Sequence, residues 1–311
     1  MLSCPLCQQN DLEVISTKDR RGKALETDLC RSCGTVFNNP IPTDEELTQF
    51  YSKDYRKDYK SVSVPKKKHS LRAFERAQRF FDMNEERLSN ITSCLDVGAG
   101  GGEFLSLAKQ RGWDAKGIEP NEGYAKSAKD FYDVDIFCGM MNETDYPEKS
   151  FDLIRLNHVL EHINTPVEFL NRLRDWLKDD GILYVEVPDI RAYAAVKTKG
   201  KIFHYGHIFN FSPWTLQGCG KLAGFDLDGK PQLATTALFF SKGMVGTPKD
   251  LVSVRNYQEV KSYLDQHFSG AARPLGNRIA KPIRKLGRYL REVRKGRQYK
   301  DRKSIGEDVS K

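Results

Sequence analysis

Leu95-Asp96-Val97-Gly98-Ala99-Gly100-Gly101-Gly102-Glu103-Phe104 reads as a buried strand, a glycine turn and the start of a helix. Glycines are needed where the backbone takes unusual dihedrals and approaches a ligand with no Cβ in the way. The helix that follows offers free N–H groups to a carboxylate or phosphate. Gly98 and Gly100 fill the first two positions of the GxGxxG pattern, but its third falls on Glu103. A GxGxG pattern is instead complete at Gly98, Gly100 and Gly102. Nineteen residues after Gly100, at the end of the next apolar strand, stands Glu119, a carboxylate able to accept both hydroxyls of a ribose.

Outward from this turn, apolar strands and amphipathic helices alternate as βαβ units, which predicts a doubly wound, largely parallel α/β sheet of seven strands. Candidate strands are 93–97, 114–119, 134–138, 151–157, 181–187, 225–229 and 233–241, the last two joined as a hairpin. Helices are expected over 102–111, 124–131, 166–177 and 213–222. Ahead of the sheet, Thr43 and Glu46 have the spacing of a capping box for a helix to about Tyr51. An exposed linker over 57–69 and a helix over 71–88 follow, and a helix of about 20 residues is expected after Pro248. The 311 residues therefore divide into 1–40, 41–90 as a helical linker region, 91–245 as the main domain, and 246–311 as a helix and tail.

Four of the seven cysteines form Cys4-Pro5-Leu6-Cys7 and Cys30-Arg31-Ser32-Cys33, two knuckles 22 residues apart. Four thiolates so spaced make a closed tetrahedral zinc ribbon with no open position for a substrate, so the zinc is structural. Residues 1–40 hold too few apolar side chains for a core, and such a segment folds around a metal or hardly at all. Cys94, Cys138 and Cys219 lie in or beside apolar stretches and read as buried thiols. The absence of an apolar run of membrane-spanning length and of a leader-like start points to a soluble cytoplasmic protein. The formal charge of +8 is uneven: thirteen Lys and Arg against two acids give residues 273–303 a charge of +11 and leave −3 elsewhere. Binding of a polyanion must consequently rest on the tail. There Leu275, Ile279, Ile283, Leu286, Leu290 and Val293 recur at steps of three and four, the pattern of a basic amphipathic helix starting near Pro282. Such a helix lies on an anionic membrane face or binds RNA, the alternatives being that the segment packs on the body or stays disordered.

LDVGAGGGEF (95–104), GIEP (117–120), FDLIRLNHVLEHINTP (151–166) and GILYVEVPD (181–189) resemble the successive motifs of class I S-adenosylmethionine-dependent methyltransferases, over roughly residues 90–243. The resemblance implies that Asp96, Gly98, Gly100 and Gly102 surround the methionine moiety of the cofactor and that Glu119 holds its ribose. It places Pro120, Met140, Met141 and Asn157 in the same surroundings. Many relatives carry an acidic residue at the position of Met140 or Met141 for the adenine amino group. Adenine would here be packed by the methionines and bonded by backbone N–H or by Asn142.

Asn157-His158-Val159-Leu160-Glu161-His162 follows the fourth strand, which in this family ends beside the sulfonium. If helical, the segment puts His158, Glu161 and His162 on one face. It also satisfies HxxEH, a zinc-protease signature, which the surrounding pattern disfavours. The open readings are His158 as general base, Glu161 with one or both histidines as a divalent-ion site as in the similar ubiquinone-pathway O-methyltransferases, or structural hydrogen bonding. In His204-Tyr205-Gly206-His207-Ile208-Phe209-Asn210-Phe211, a segment that faces substrate in relatives, His207 is the candidate and aromatic packing the alternative.

CxxCG followed by Val36-Phe37-Asn38-Asn39-Pro40 and Tyr51-Ser52-Lys53-Asp54-Tyr55 resembles the zinc-ribbon methyltransferases of sugar and surface-polysaccharide biosynthesis. The implied reaction is O-methylation of a sugar, glycan or related metabolite, with a lipid-linked acceptor met at the inner face of the membrane through 275–303. The competing readings are an RNA methyltransferase using the basic tail and a cofactor-binding adaptor without turnover.

Overall fold

A computed structural model describes residues 3–50, 64–196, 200–229, 236–269 and 302–309 of the chain. Three strands, β1 (Leu12–Lys18), β2 (Ala24–Cys30) and β3 (Val36–Asn38), precede the helices α1 (Asp44–Gln49) and α2 (Lys67–Met83). The glycine turn joins β4 (Ser93–Val97) to α3 (Glu103–Gln110), and β5 (Asp114–Glu119), α4 (Glu122–Tyr132), β6 (Asp135–Cys138) and β7 (Phe151–Asn157) follow. Next come α5 (Pro166–Trp176), β8 (Leu177–Val187), α6 (Ile190–Val196), β9 (Phe209–Asn210), α7 (Pro213–Leu222), β10 (Phe225–Leu227), β11 (Thr236–Lys242), α8 (Val254–Ser269) and α9 (Arg302–Val309).

The main sheet has seven strands in the order β10-β11-β8-β7-β4-β5-β6. β4, β5 and β6 are parallel, whereas β11 runs antiparallel to β8 and β10. This is the doubly wound α/β sheet expected from the alternation of elements. β4 is buried at all five positions, as a strand covered on both faces must be. Most helix limits follow the caps: Thr43 makes the expected capping box, Pro166 and Pro213 open their helices, and the Ser212 hydroxyl accepts from Thr215 N–H. Helix α4 begins two residues earlier than its apolar pattern suggests because the Asn121 side chain accepts from Tyr124 N–H. Helix α2 ends at Met83, short of Leu88, where the Asn84 amide turns back onto Phe80 O at 2.7 Å. After Pro248 a short 3₁₀ turn precedes the 16-residue α8. The amphipathic pattern from Leu275 to Val293 and the Tyr51–Tyr55 motif lie outside the described residues.

By internal contacts the chain forms two compact units, Lys60–Arg155 with Ala272–Lys311, and Met1–Tyr59 with Leu156–Ala271. In the first unit, α2 lays its apolar face on α3: the ring of Phe81 stacks on that of Phe104 at 5.2 Å, and Phe80 meets it edge-on. Helix α9 packs on the same α2, with Ile305 fully buried and Gly306 so close to the Phe74 ring that a Cβ would lie 2.8 Å from it.

In the second unit, β1, β2, β3 and β9 form an antiparallel sheet in that order. Residues 1–40 draw on other segments for their core. Leu29 and Val36 belong to a buried cluster with Ile190, Ala194, Ile202, Phe203, Val260 and Leu264, so the missing apolar surface comes from α6, α8 and the segment before β9. The cysteine knuckle is held to the same body. Ser253 N–H donates to Ser32 O at 2.7 Å, and a Cβ on Gly34 would lie 2.9 Å from the Asn256 backbone. A correction concerns Cys138: Cys94 and Cys219 are buried, but Cys138 ends the edge strand β6 and is exposed.

Candidate functional site

The glycine turn takes its shape from three left-handed residues, Gly98 (φ 73°), Gly100 (φ 57°) and Gly102 (φ 80°). Gly98 and Ala99 N–H both donate to Ile118 O, which ties the turn to β5. The glycines serve different ends. A Cβ on Gly102 would meet Ala128 Cβ at 2.6 Å, so this position permits α3 to approach α4. A Cβ on Gly100 would meet nothing within 4 Å, so this glycine faces open space. Beside it Glu119 Oε2 accepts from Gly100 N–H at 2.8 Å, and Glu119 Oε1 accepts from Asn121 N–H at 2.9 Å. Burial pushes the Glu119 carboxyl above its usual range, against those two N–H groups. A buried carboxylate with only two donors retains lone pairs for the hydroxyls of a ribose. The donor set and the open face at Gly100 thus fit a ribonucleoside carrying an amino-acid end.

Asp96, at 1% exposed, is held by a partner that sequence reasoning missed. Arg155 Nη1 donates to Asp96 Oδ1 at 2.7 Å, and its guanidinium lies over the Phe104 ring at 4.5 Å. Burial raises the Asp96 carboxyl, and Arg155 opposes the shift. The signal was a lone arginine in the apolar run Phe151–Asn157, which must find an acid once the strand is buried. After β6, Met140 is half exposed and Met141 opens a 3₁₀ turn, Met141–Glu143. An acidic residue does stand in this loop: Glu143 Oε2 accepts from Met140 N–H at 2.6 Å. Pro120 lies at the exposed end of the β5 turn, and Asn142 is also exposed.

In the second unit, Asn157 Nδ2 donates to Glu186 Oε2 at 2.7 Å, which also accepts from Tyr184 OH at 2.9 Å. The segment after β7 is not the helix that HxxEH requires. His158 is left-handed (φ 58°), with its N–H tied to Glu186 O, and only Leu160–His162 forms a 3₁₀ turn. A left-handed residue with a Cβ costs of order 1–2 kcal/mol and interrupts any helix. The side chains still converge, on Glu161 instead of on a helix face. His158 Nδ1 lies 3.3 Å and His162 Nε2 3.8 Å from Glu161 Oε1. Glu161 is 1% exposed, and neither of its oxygens has a hydrogen-bond partner. His162 Nδ1 bonds to Gly206 O, which fixes the proton on that nitrogen and leaves Nε2 a lone pair. The His207 ring lies 4.9 Å from that of His162 and 3.8 Å from that of His204. Burial drives His162 below the usual imidazole range and His207 well below it, so both rings are neutral at pH 7. Glu161, His162 and His207 offer ligand atoms within 4.8 Å of one another.

The four ribbon cysteines are buried together, with Cys4 and Cys33 Sγ 3.7 Å apart and Cys7 and Cys30 Sγ 3.5 Å apart. Thiolates at about 2.3 Å around one tetrahedral ion lie about 3.8 Å apart, so the spacing fits zinc. Crowding by the other sulfurs lowers the Cys30 thiol and raises those of Cys4 and Cys33.

The chain matches the family described as "Methyltransferase domain" over residues 66–229. It is 31% identical over 116 residues to the ubiquinone biosynthesis O-methyltransferase of Rhodopseudomonas palustris strain BisB5, covering 35% of this chain and 46% of that protein. To the protein of the same name from Actinobacillus pleuropneumoniae serotype 5b it is 30% identical over 114 residues, covering 33% and 49%. The chain thus spans about half the length of the curated relatives it matches. Among solved structures, the 1,6-didemethyltoxoflavin-N1-methyltransferase of Burkholderia thailandensis, with bound 1,6-didemethyltoxoflavin and S-adenosylhomocysteine, aligns over 67% of this chain and 96% of its own. Identity is 17% and the TM-score 0.48.

Proposed function

The chain belongs to the methyltransferase domain family, and from that premise we propose that it transfers a methyl group from S-adenosylmethionine to a hydroxyl of a sugar, glycan or related metabolite. The observation that carries the reading is the pair formed by the open face at Gly100 and the buried Glu119 carboxylate bonded to its N–H. S-adenosylmethionine, when bound, supplies an electrophilic methyl whose sulfur departs as a neutral thioether, so no acid is needed at the leaving group. The protein's work is then to align the acceptor oxygen, exclude water and take the acceptor's proton.

His158 is the residue we assign to the proton. Its side chain is 37% exposed, and its Nδ1 lies 3.3 Å from Glu161 Oε1, the buried acid that a small rotation of the ring would let orient the imidazole so that Nε2 accepts. The names of the curated relatives support oxygen as the acceptor atom. The ribbon motif supports a sugar or glycan as its bearer. A divalent cation held by Glu161, His162 and His207 is a second reading, favoured by the two unpartnered oxygens of Glu161. Calorimetric titration with manganese(II), lost in Glu161→Gln, tests it.

The reaction is tested by incubating zinc-replete protein with methyl-labelled S-adenosylmethionine and a cell extract, then separating glycan, lipid, RNA and protein. Label in glycan or small-molecule hydroxyls is expected. Label in RNA, with affinity that falls steeply with salt, would replace this reading by the nucleic-acid one. Cofactor binding with no labelled product would favour an adaptor. Calorimetry that found a nicotinamide nucleotide bound and no affinity for S-adenosylhomocysteine would overturn the reading altogether.

A further inference from the structure

Asn38 is a polar residue with no exposed surface, at the end of the ribbon strand β3. Its backbone N–H donates to Ile208 O at 2.9 Å. Its side-chain amide faces three carbonyls of one turn, His204 O at 3.4 Å, Tyr205 O at 3.2 Å and His207 O at 3.1 Å. Two N–H groups shared among three acceptors fix the turn from one side, one of them bifurcated. From another side the same turn is held by His162, whose Nδ1–H donates to Gly206 O. His204 and His207 are 8% and 9% exposed, so their rings have little room to move unless the turn moves.

The grip begins at the cysteines. Cys30 is the last residue of β2, its N–H donates to Thr35 O at 2.9 Å, and β3 starts three residues after Cys33. Whatever fixes the Cys30–Cys33 knuckle fixes the start of β3, and Asn38 lies two residues further on. β3 is paired on both sides, to β2 and to β9, so it offers no edge to another molecule.

We propose that Asn38 is a positioning residue, through which the N-terminal ribbon sets the orientation of His207 and His162 for acceptor chemistry. The inference rests on the methyl-transfer reading only in giving those histidines an acceptor to serve. The ribbon's part is then internal, to hold a turn of its own chain.

The chain has six histidines, few enough to assign each ring by nitrogen-15 NMR on the full-length, metal-loaded protein. Asn38→Asp removes the amide N–H groups at nearly constant size, and Asn38→Ala removes the side-chain grip. In both, the ring signals of His162, His204 and His207 are expected to shift while those of His69 and His267 stay. The absorption bands of cobalt(II) in the cysteine site and the affinity for S-adenosylhomocysteine are expected to be unchanged. With a methylated acceptor in hand, acceptor kcat/KM should fall about 10- to 100-fold, as displacement of a reacting group by a fraction of an ångström to an ångström entails. Unmoved signals from the three rings in both variants would overturn the proposal. Shifts spread equally over all six rings, with altered cobalt bands, would also overturn it by showing general loss of structure. The ring signals answer whether or not any acceptor is methylated, so this failure is distinct from failure of the methyl-transfer reading.

Discussion

Gly100 and Gly102 share a left-handed backbone yet should respond differently to one added methyl group. Gly100→Ala meets open space, so its cost in stability is the dihedral strain alone, about 1–2 kcal/mol, while the methyl occupies the face offered to the cofactor. Loss of S-adenosylhomocysteine binding by calorimetry with a modest drop in melting temperature is expected. Gly102→Ala adds to that strain a clash with Ala128, and a further loss of about 1–3 kcal/mol in denaturant unfolding should appear. Arg155→Ala leaves Asp96 buried without its counter-ion and should cost about 3–5 kcal/mol. His158→Ala should lower kcat about 10²- to 10⁴-fold with cofactor affinity unchanged; equal activity would remove it from the reaction. At this scale the sequence was informative where spacing itself carries the chemistry, as in the glycines, Glu119 and the cysteines. It was silent on Asn38 and Glu186, because hydrogen-bond partners 166 to 169 positions from the one and 29 from the other leave no local pattern.

Among the elements, the strands and helices of the sheet follow apolar periodicity, and their ends follow caps that can be read when the capping residue is recognised, as Asn121 shows. Elements too short to have a period escaped: β9 has two residues and α6 seven, yet one completes the ribbon sheet and the other supplies its core. Among the described side chains of helix α9, Ile305 is fully buried. Ile305→Ala should cost about 2–5 kcal/mol in unfolding experiments, whereas an unpacked helix would show no change. If the four-cysteine site holds zinc as its spacing fits, a chelator should lower the melting temperature and alter the near-ultraviolet circular dichroism of the aromatics packed in that unit. The cysteine spacing of the ribbon was legible; its fusion to the rest of its unit through β9 was not.

Across the molecule, the buried histidines and the buried acids pull stability in opposite directions with pH. His162 and His207 have folded values below the ordinary imidazole value of about 6.5, so the unfolded chain takes up protons first as pH falls. The stability gained by keeping these rings neutral is present above about pH 6.5 and is lost as pH falls from there through their folded values. Glu119 and Asp96 have folded values above their ordinary ones, so their contribution runs the other way and weakens as pH rises through those folded values. A comparison of melting temperatures between pH 5 and 8 separates the two: His207→Gln should flatten the acid-side fall, and a slope identical to that of the unmodified chain would refute the shift. Among the described residues, no helix is long and apolar enough to cross a membrane. The basic segment 273–303 carries its own test, since vesicles containing anionic lipid should retain the full chain and release it after truncation at Gly270 if the membrane reading of the tail holds.

Sequence alone determined the fold class, the glycine turn with the acid at the end of the next strand, and the four clustered thiols, because each is a short-range pattern of period, spacing or residue type. Only the tertiary structure decided that Arg155 neutralises Asp96, that Glu161 gathers histidines from a broken turn, and that Asn38 grips the histidine loop. Those are matters of buried charge and hydrogen-bond satisfaction, which come into being when distant segments lose water together and have no signature along the chain.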